Sequence, residues 1–256
     1  MSKKIFINAS ELAIITGHNR FNYLSDYVIK LDERYFNDDY KRIVSLISKK
    51  NVKITKSESA QECIKRVVTT NKLDIKKSLN ECLKSNNVQD LSKKQELLKN
   101  TIQKDKNISP QDKLLINESI KSLTNTNFGT NNENHVIKYY ESIINKNIIT
   151  TNDFFSKELF KNDNYTWYIG GKVDGIFIND DNEKVLLEVK NRVKKLFYTL
   201  RAYEKVQIYA YMLLLETNKA KLIECLKNNK SEFNTIDVKF EEDFFEKKIL
   251  KYLESF

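Results

Sequence analysis

The stretch that decides the fold is Gly170-Gly171-Lys172-Val173-Asp174-Gly175-Ile176-Phe177, followed by Val185-Leu186-Leu187-Glu188-Val189-Lys190. Both pieces are rich in the β-branched and aliphatic residues that favour strands. The segment between them contains Asn179-Asp180-Asp181-Asn182-Glu183, which is typical of a turn. We therefore predict a β-hairpin, with its second strand buried on both faces.

A hairpin symmetric about Asp181 places Asp174 directly opposite Glu188, with their Cβ atoms about 4.5–5.5 Å apart. Because side chains alternate along a strand, Glu188 and Lys190 are expected to share one face. Two carboxylates this close repel each other, and a divalent cation would remove that repulsion. Carboxylate oxygens with water suit Mg²⁺ or Mn²⁺, and Lys190 could orient water or neutralise a phosphate oxygen. A purely structural acid–lysine pair is the alternative.

From residue 133 onward, helical and strand patterns alternate, so we predict an α/β (α+β) core around a small mixed β-sheet. Helices are predicted for residues 133–145, 199–218 and 241–256. Strands are predicted for residues 154–160, 166–178, 184–192 and 233–240. Residues 219–226 fit either a strand or a helix.

The first half of the chain is predicted to be mostly helical. After a short extended start, Ser10 is placed to cap a helix over 11–15, and a longer helix is predicted over 23–48. Three or four amphipathic helices then follow over 57–124, and the Asn- and Thr-rich segment 124–132 is expected to be a linker.

Charge divides the chain in the same way. The net charge is +9, yet residues 41–128 alone hold 19 basic against 9 acidic residues, whereas 129–256 are balanced. We therefore predict three segments: 1–44, helices packing on the core; 45–127, a basic helical insert; and 128–256, the core. A basic block of this kind favours a polyanion such as nucleic acid, or is simply a solvated surface.

The spacing from Asp174, across 13 residues, to Glu188-Val189-Lys190 resembles the D…E-x-K signature of the PD-(D/E)XK nuclease superfamily. The resemblance implies a restriction-endonuclease-like core, with a small central mixed β-sheet flanked by helices. It also implies a metal site formed by Asp174, Glu188 and the Val189 carbonyl, with Glu133 as an additional ligand from the preceding helix, and a catalytic role for Lys190. The alternative for Glu133 is a surface residue favoured by the helix dipole.

Two further motifs resemble the lambda-exonuclease-like branch, which includes the YqaJ-type viral recombinases. Gln207 and Tyr211 lie one helical turn apart, like the Q-x-x-x-Y motif of that branch. The segment Asn8-Ala9-Ser10-Glu11-Leu12 resembles its A-S-E start, in which the Ser contacts a terminal phosphate. Gln207 is thus implied as a catalytic residue and Ser10 and Tyr211 as DNA-binding residues; helix capping is the alternative for Ser10. No Arg directly precedes Ser10, where the family often has one, so Lys3, Lys4 or Arg20 would have to bind the phosphate instead.

The resemblance implies a Mg²⁺- or Mn²⁺-dependent DNA exonuclease, acting 5′→3′ on duplex ends in recombination or repair. A structure-specific or restriction-type endonuclease is the first alternative, and a non-catalytic DNA-binding scaffold is the second. The expected partner is double-stranded DNA. The basic segment has a further alternative role, in docking a single-strand annealing or replication protein or in forming a homo-oligomer.

The remaining features concern where the protein acts. No apolar run reaches the roughly 18–20 residues of a membrane span, and the N-terminus lacks the apolar stretch of a secretory signal. Three widely spaced cysteines suggest reduced thiols. We therefore expect the cytoplasm or another reducing compartment, and the excess of Asn, Lys and Ile is typical of an AT-rich genome, such as that of a virus.

Overall fold

The computed structural model describes residues 2–48, 57–227 and 229–254 of the chain. Within these residues the strands are β1 (Lys3–Asn8), β2 (Phe155–Lys161), β3 (Tyr165–Gly171), β4 (Gly175–Ile178), β5 (Lys184–Arg192), β6 (Lys219–Leu226) and β7 (Asn229–Lys239). The helices are α1 (Leu12–Ile15), α2 (Leu24–Tyr35), α3 (Asn37–Ser48), α4 (Ala60–Asn71), α5 (Lys76–Leu83), α6 (Val88–Lys104), α7 (Pro110–Asn131), α8 (Glu133–Ile144), α9 (Ala202–Leu215), α10 (Glu242–Phe245) and α11 (Lys251–Glu254), with a π-helical segment at Glu246–Leu250 between the last two.

The predicted hairpin forms in the predicted register. β4 pairs antiparallel with β5, with Gly175 opposite Leu187 and Ile178 opposite Lys184. Asp174 directly precedes this ladder, at the position that continues it toward Glu188. The register is confirmed because the turn and the alternation of side chains are both local features of the sequence.

The sheet arrangement differs from the prediction in one respect. The single strand predicted over 166–178 divides into β3 and β4 at Lys172–Asp174, and the two parts join different sheets. One sheet has the order β1-β3-β2 and the other β4-β5-β6-β7. β1 runs parallel to β3, and β5 runs parallel to β6. The predicted α/β class with mixed strand pairing is confirmed, with two small mixed sheets instead of one.

Helices cover both faces of β5. On one face, α8 packs Val136, Ile137 and Tyr140 against Leu187 and Val189. On the other face, α9 lies in the same core cluster as Leu186. The prediction that β5 is buried on both sides is thus confirmed, and any charged side chain within it must have a partner or a ligand.

Several predicted helix boundaries were wrong. The helix predicted over 23–48 breaks at Phe36, and the terminal helix predicted over 241–256 has a π-helical turn in its middle; residues 255–256 lie outside the described part. The expected linker 124–132 is instead mostly helix, because α7 buries Thr124 and Phe128 one turn apart. Residues 219–226, left open from the sequence, form β6.

Helices α4–α7 share a separate hydrophobic core, whose members include Val67, Leu98, Ile116 and Phe128. Ser59 caps α4 and Ser109 caps α7, because their side chains accept from the backbone N–H groups of Glu62 and Asp112. Both proposed segment boundaries, 44/45 and 127/128, fall inside helices, and residues 49–56 near the first lie outside the described part. We retain as a proposal that this helical block is an insert beside the core.

Two of the compartment-related features can be examined in the structure. Cys63, Cys82 and Cys225 are buried free thiols. Across the described residues, no helix is both long enough and apolar enough to cross a membrane.

Candidate active site

Glu188 lies in the middle of β5, between apolar neighbours, and only 2% of its surface is exposed. Its Oε1 accepts a hydrogen bond from Lys190 Nζ at 2.5 Å. The two side chains therefore share one face of the strand, as the sequence predicts. The Lys190 side chain remains 26% exposed, so the pair has one buried member and one that reaches solvent.

Asp174 is fixed by the backbone of the neighbouring strand. The Val189 N–H donates to Asp174 Oδ2 at 2.7 Å, across the end of the hairpin. In a regular ladder a backbone carbonyl would accept the Val189 N–H. Here the Asp174 carboxylate accepts it instead, so Asp174 lies between the two sheets and not within a strand. Asp174 is thereby held beside Glu188 and Lys190.

The electrostatics of this group confirm that its members face one another. Burial raises the pKa of Glu188 and of Asp174; nearby Lys190 opposes the shift, and a second carboxylate adds to it. Burial alone would lower the pKa of Lys190, but the carboxylates of Glu188 and Asp174 raise it above its ordinary value. Lys190 is therefore a cation held by two carboxylates that would otherwise repel each other.

Glu133 joins the group from the first turn of α8. Burial raises the pKa of Glu133 to about 7, with Lys190 lowering it and Glu188 raising it. A surface carboxylate would not be shifted in this way, so the simple explanation of a solvated first-turn glutamate does not fit. Glu133, Asp174, Glu188 and Lys190 thus come from three different elements and converge in one place.

The donor set fits a hard cation. Glu188 Oε2 is buried and, within the described residues, has no hydrogen-bond partner, which is costly for a carboxylate oxygen unless a ligand binds it. The carboxylate oxygens of Asp174 and Glu133 are of the type that Mg²⁺ and Mn²⁺ prefer. In the geometry described, no cluster of three or more His, Cys, Asp or Glu side chains has the spacing of a metal site.

Gln207 and Tyr211 lie on α9 behind this group. Gln207 Nε2 donates to the Tyr211 hydroxyl at 3.3 Å, so the two residues of the motif contact each other as the helical spacing predicts. Tyr211 is buried, and burial with the nearby Glu188 raises its pKa. A Cβ at Gly171 would lie 2.7 Å from the Tyr211 ring, so the glycine is needed for this close approach. The prediction that Tyr211 contacts DNA does not match its buried position; its geometry suits positioning of Gln207.

Ser10 follows β1 at the end of the sheet nearest the group, where Ala9 packs beside Gly171. It is exposed, but it does not cap a helix: the capping position of α1 is Glu11, and α1 has only four residues. Glu11 accepts from Asn8 at 2.8 Å and pairs with Lys30. The predicted capping of a helix by Ser10 is therefore wrong, because Glu11 occupies the capping position.

The sequence interpretation missed a second buried ionic group beside the first. Arg192 donates to Glu204 at 2.6 Å and to Glu224 at 3.0 Å, and both carboxylates are completely buried. Arg192 follows Lys190 on the same face of β5. The sequence signal was an acid inside the apolar run of β6, at Glu224, which is the same signal that identified Glu188.

No family model and no curated protein matches this chain. Among solved structures it is similar to SSO0001, with 13% identity and a TM-score of 0.35 over 75% of this chain and 82% of the other. It is similar to an alkaline exonuclease, LHK-Exo, from Laribacter hongkongensis, with 9% identity and a TM-score of 0.39 over 70% and 84% of the two chains. It is also similar to a phage related exonuclease from Haemophilus somnus 129PT, with 11% identity and a TM-score of 0.37 over 51% and 69%. The names of these last two structures describe exonucleases, the class of enzyme that the sequence motifs resemble.

Proposed function

We propose that the chain is a metal-dependent deoxyribonuclease that removes nucleotides from duplex ends, in the 5′→3′ direction, during DNA recombination or repair. The observation that carries the proposal is the convergence of Asp174, Glu188 and Lys190 at the end of the hairpin, where the buried Glu188 Oε2 has no hydrogen-bond partner among the described residues. A purely structural ion pair would satisfy this oxygen. It would also not require a third carboxylate, Glu133, at the same place.

Each residue has a role that follows from its position. Asp174, Glu188, Glu133 and the Val189 carbonyl would hold Mg²⁺ or Mn²⁺, and the ion would neutralise charge that develops on the scissile phosphate. Lys190, a cation with one side open to solvent, orients the attacking water or stabilises negative charge on the phosphate oxygens.

The residues around this group have supporting roles. Gln207 hydrogen bonds to Tyr211 and positions Lys190, the water or the substrate. The direction of cutting would follow if exposed Ser10 and Arg20 contact the phosphate at one strand end.

The experiment that tests this function uses a linear duplex labelled at either the 5′ or the 3′ end, with Mg²⁺ or with EDTA. We expect early release of label from the 5′ end, long single strands as the product, and no cleavage in EDTA. Nicking of a closed circular duplex would instead support an endonuclease. Tight binding without any cleavage in Mg²⁺ would support the non-catalytic scaffold.

The basic helical block offers a binding surface together with residues that follow β5 and β6. A groove of about 900 Å³ lies between α6, α7 and the segments after β5 and β6. Five lysines line it, together with Glu96 and Glu118: Lys99, Lys113, Lys121, Lys194 and Lys227. Because both the helical block and the core contribute to the groove, we propose that it holds the phosphate backbone of DNA. Docking of a partner protein, or of a second copy of the chain, remains the alternative proposal for this block.

Replacing Lys99 and Lys121 together by glutamate is expected to weaken duplex binding about tenfold or more at low salt. Each lysine that contacts a phosphate releases counterions, so the slope of log affinity against log salt should fall by about two. Fluorescence anisotropy across a salt series measures both quantities. The matched control is Lys76→Glu with Lys77→Glu, exposed lysines of α5 that do not line this groove. Equal losses in the two double variants would show only a general effect of net charge.

A further inference from the structure

The loop from β5 to α9 and the segment before α2 present arginines and aromatic rings, of which the proposed function uses only Arg20. We call them together the arginine–aromatic surface, and its members are Arg20, Phe21, Phe197, Tyr198, Arg201 and Tyr203. Phe21 is 65% exposed and Tyr198 is 67% exposed, which is unusual for large aromatic side chains in the absence of a ligand. Only six arginines occur in the chain, and two of them, Arg20 and Arg201, belong to this surface.

The rings and the guanidinium groups form two sets of contacts. The Arg20 guanidinium lies 5.0 Å from the Phe21 ring centroid, and Phe21 contacts Tyr203 edge-on at 6.0 Å. Arg201 lies 4.1 Å from the Phe197 ring, whose centroid is also 4.5 Å from Arg192. Each set therefore places a guanidinium group beside a flat apolar ring, and exposed Lys194 and Lys195 add positive charge near the second set.

Tyr198 is held in an unfavourable backbone conformation. Its φ is 58°, in the left-handed region that tyrosine rarely adopts. The buried Glu224 carboxylate fixes this conformation by accepting the N–H of Tyr198 at 2.9 Å and that of Phe197 at 3.3 Å. A residue held in this way at a cost in stability, with its ring directed to solvent, is typical of a binding site.

The surface lies beside the proposed active site. Arg192 lies two residues after Lys190 on the same face of β5, and it donates to Glu204 at 2.6 Å. Arg192 in turn stacks on Phe197, next to Tyr198. Arg192 therefore connects the strand that carries Lys190 directly to this surface.

We propose that the arginine–aromatic surface binds the unpaired bases of a DNA strand at an opened duplex end, with Tyr198 stacking on a base. Every base has a π-face that can stack on an aromatic ring, and arginines beside the rings suit the phosphates between successive bases. The lysines of the groove described above suit a phosphate backbone but offer no such rings. The proposal rests on the proposed function and adds to it a site for the separated strand.

The test compares binding of two duplexes in EDTA, one blunt and one with a short unpaired tail carrying 2-aminopurine. Wild-type protein should bind the tailed duplex more tightly and should quench the 2-aminopurine fluorescence. Tyr198→Gly should lose about tenfold in affinity for the tailed duplex, and the quenching, with little change for the blunt duplex. Tyr198→Phe should retain both, because it keeps the stacking ring.

The glycine variant separates binding from folding, because glycine adopts the left-handed conformation without strain. The melting temperature of Tyr198→Gly should equal or exceed that of the wild type, while its affinity for the tailed duplex falls. Loss of a residue with only a structural role would lower both. Tyr252→Ala, which removes an exposed tyrosine from α11, is the control and should bind as the wild type does.

The proposal is overturned if wild type shows no preference for the tail, or if Tyr198→Gly binds and quenches as wild type does. It is also overturned if a fall in affinity is accompanied by a fall in melting temperature in both Tyr198 variants. Cleavage of a blunt duplex by the wild type in Mg²⁺ tests the proposed function alone, so each proposal can fail while the other stands.

Discussion

Replacing Glu188 by glutamine is expected to lower nuclease activity by a hundredfold or more without unfolding the protein. The glutamine keeps the size of the side chain but removes the carboxylate whose buried Oε2 has no partner in the part of the chain that the structure describes. It also removes the negative partner that Lys190 contacts at 2.5 Å. Loss of a single preorganised electrostatic contact in an active site typically costs about 10²–10³ in rate. Initial rates on a labelled duplex in saturating Mg²⁺ measure the effect.

The stability of this variant should change in a direction that depends on pH. Burial raises the pKa of Glu188 from 4.5 to about 7, so the folded state binds its proton more tightly than the unfolded state does. Stability contributed by this group is therefore present at low pH and is lost as pH rises from about 4.5 to about 7. Glu188→Gln lacks this loss, so its unfolding free energy relative to wild type should improve from pH 5 to pH 8, as urea denaturation at the two values can show.

The matched control lies in the same hairpin. Glu183 is an exposed residue near the turn that pairs with Lys219, and Glu183→Gln should leave activity within about twofold of wild type, since exposed pairs contribute little. If Glu188→Gln cuts duplex DNA as fast as Glu183→Gln does, the hairpin carboxylates are not catalytic. Only a binding role would then remain for the chain.

The hairpin shows what could be predicted from sequence and why. Its register depends on a polar turn and on alternation along two short strands, and both are visible in a few consecutive residues. The break at Lys172–Asp174 was not predicted, because it depends on where the second sheet lies. The Val189 N–H that fixes Asp174 is a tertiary contact with no signature in the local pattern.

The helical linker and the buried ionic group were missed for different reasons. Residues 124–131 have a composition typical of loops, and their helical structure comes from burial of Thr124 and Phe128 in the core of α4–α7. Glu224, by contrast, had a signal: an acid inside an apolar strand requires a partner. Its partner, Arg192, lies 32 residues away on a neighbouring strand and could not be identified without the strand order.

The second large effect concerns the stability provided by this buried group. Arg192→Met should destabilise the protein by about 3–5 kcal/mol, the cost typical of removing one partner from a buried ion pair. Both Glu204 and Glu224 are completely buried, and without Arg192 neither carboxylate keeps a cationic partner among its hydrogen bonds in the described structure. Urea denaturation at pH 7 measures the loss, and methionine keeps most of the side-chain volume, so that charge and not packing is the main change.

Two further variants decide whether the loss comes from uncompensated charge. Lys221→Met breaks the ion pair between Lys221 and Asp237, in which the Asp237 side chain is largely exposed. It should lower the free energy of unfolding by about 1 kcal/mol or less. The triple variant Arg192→Met, Glu204→Gln, Glu224→Gln removes all three charges together. It should recover at least half of the stability lost by Arg192→Met alone, because burying a neutral amide costs far less free energy than burying an unpaired carboxylate. A triple variant less stable than Arg192→Met would show instead that the hydrogen bonds from Glu224 to the loop, and not charge balance, hold this region together. In that case the segment from β5 to α9 would depend for its stability on the Glu224 carboxylate, which also fixes the conformation of Tyr198.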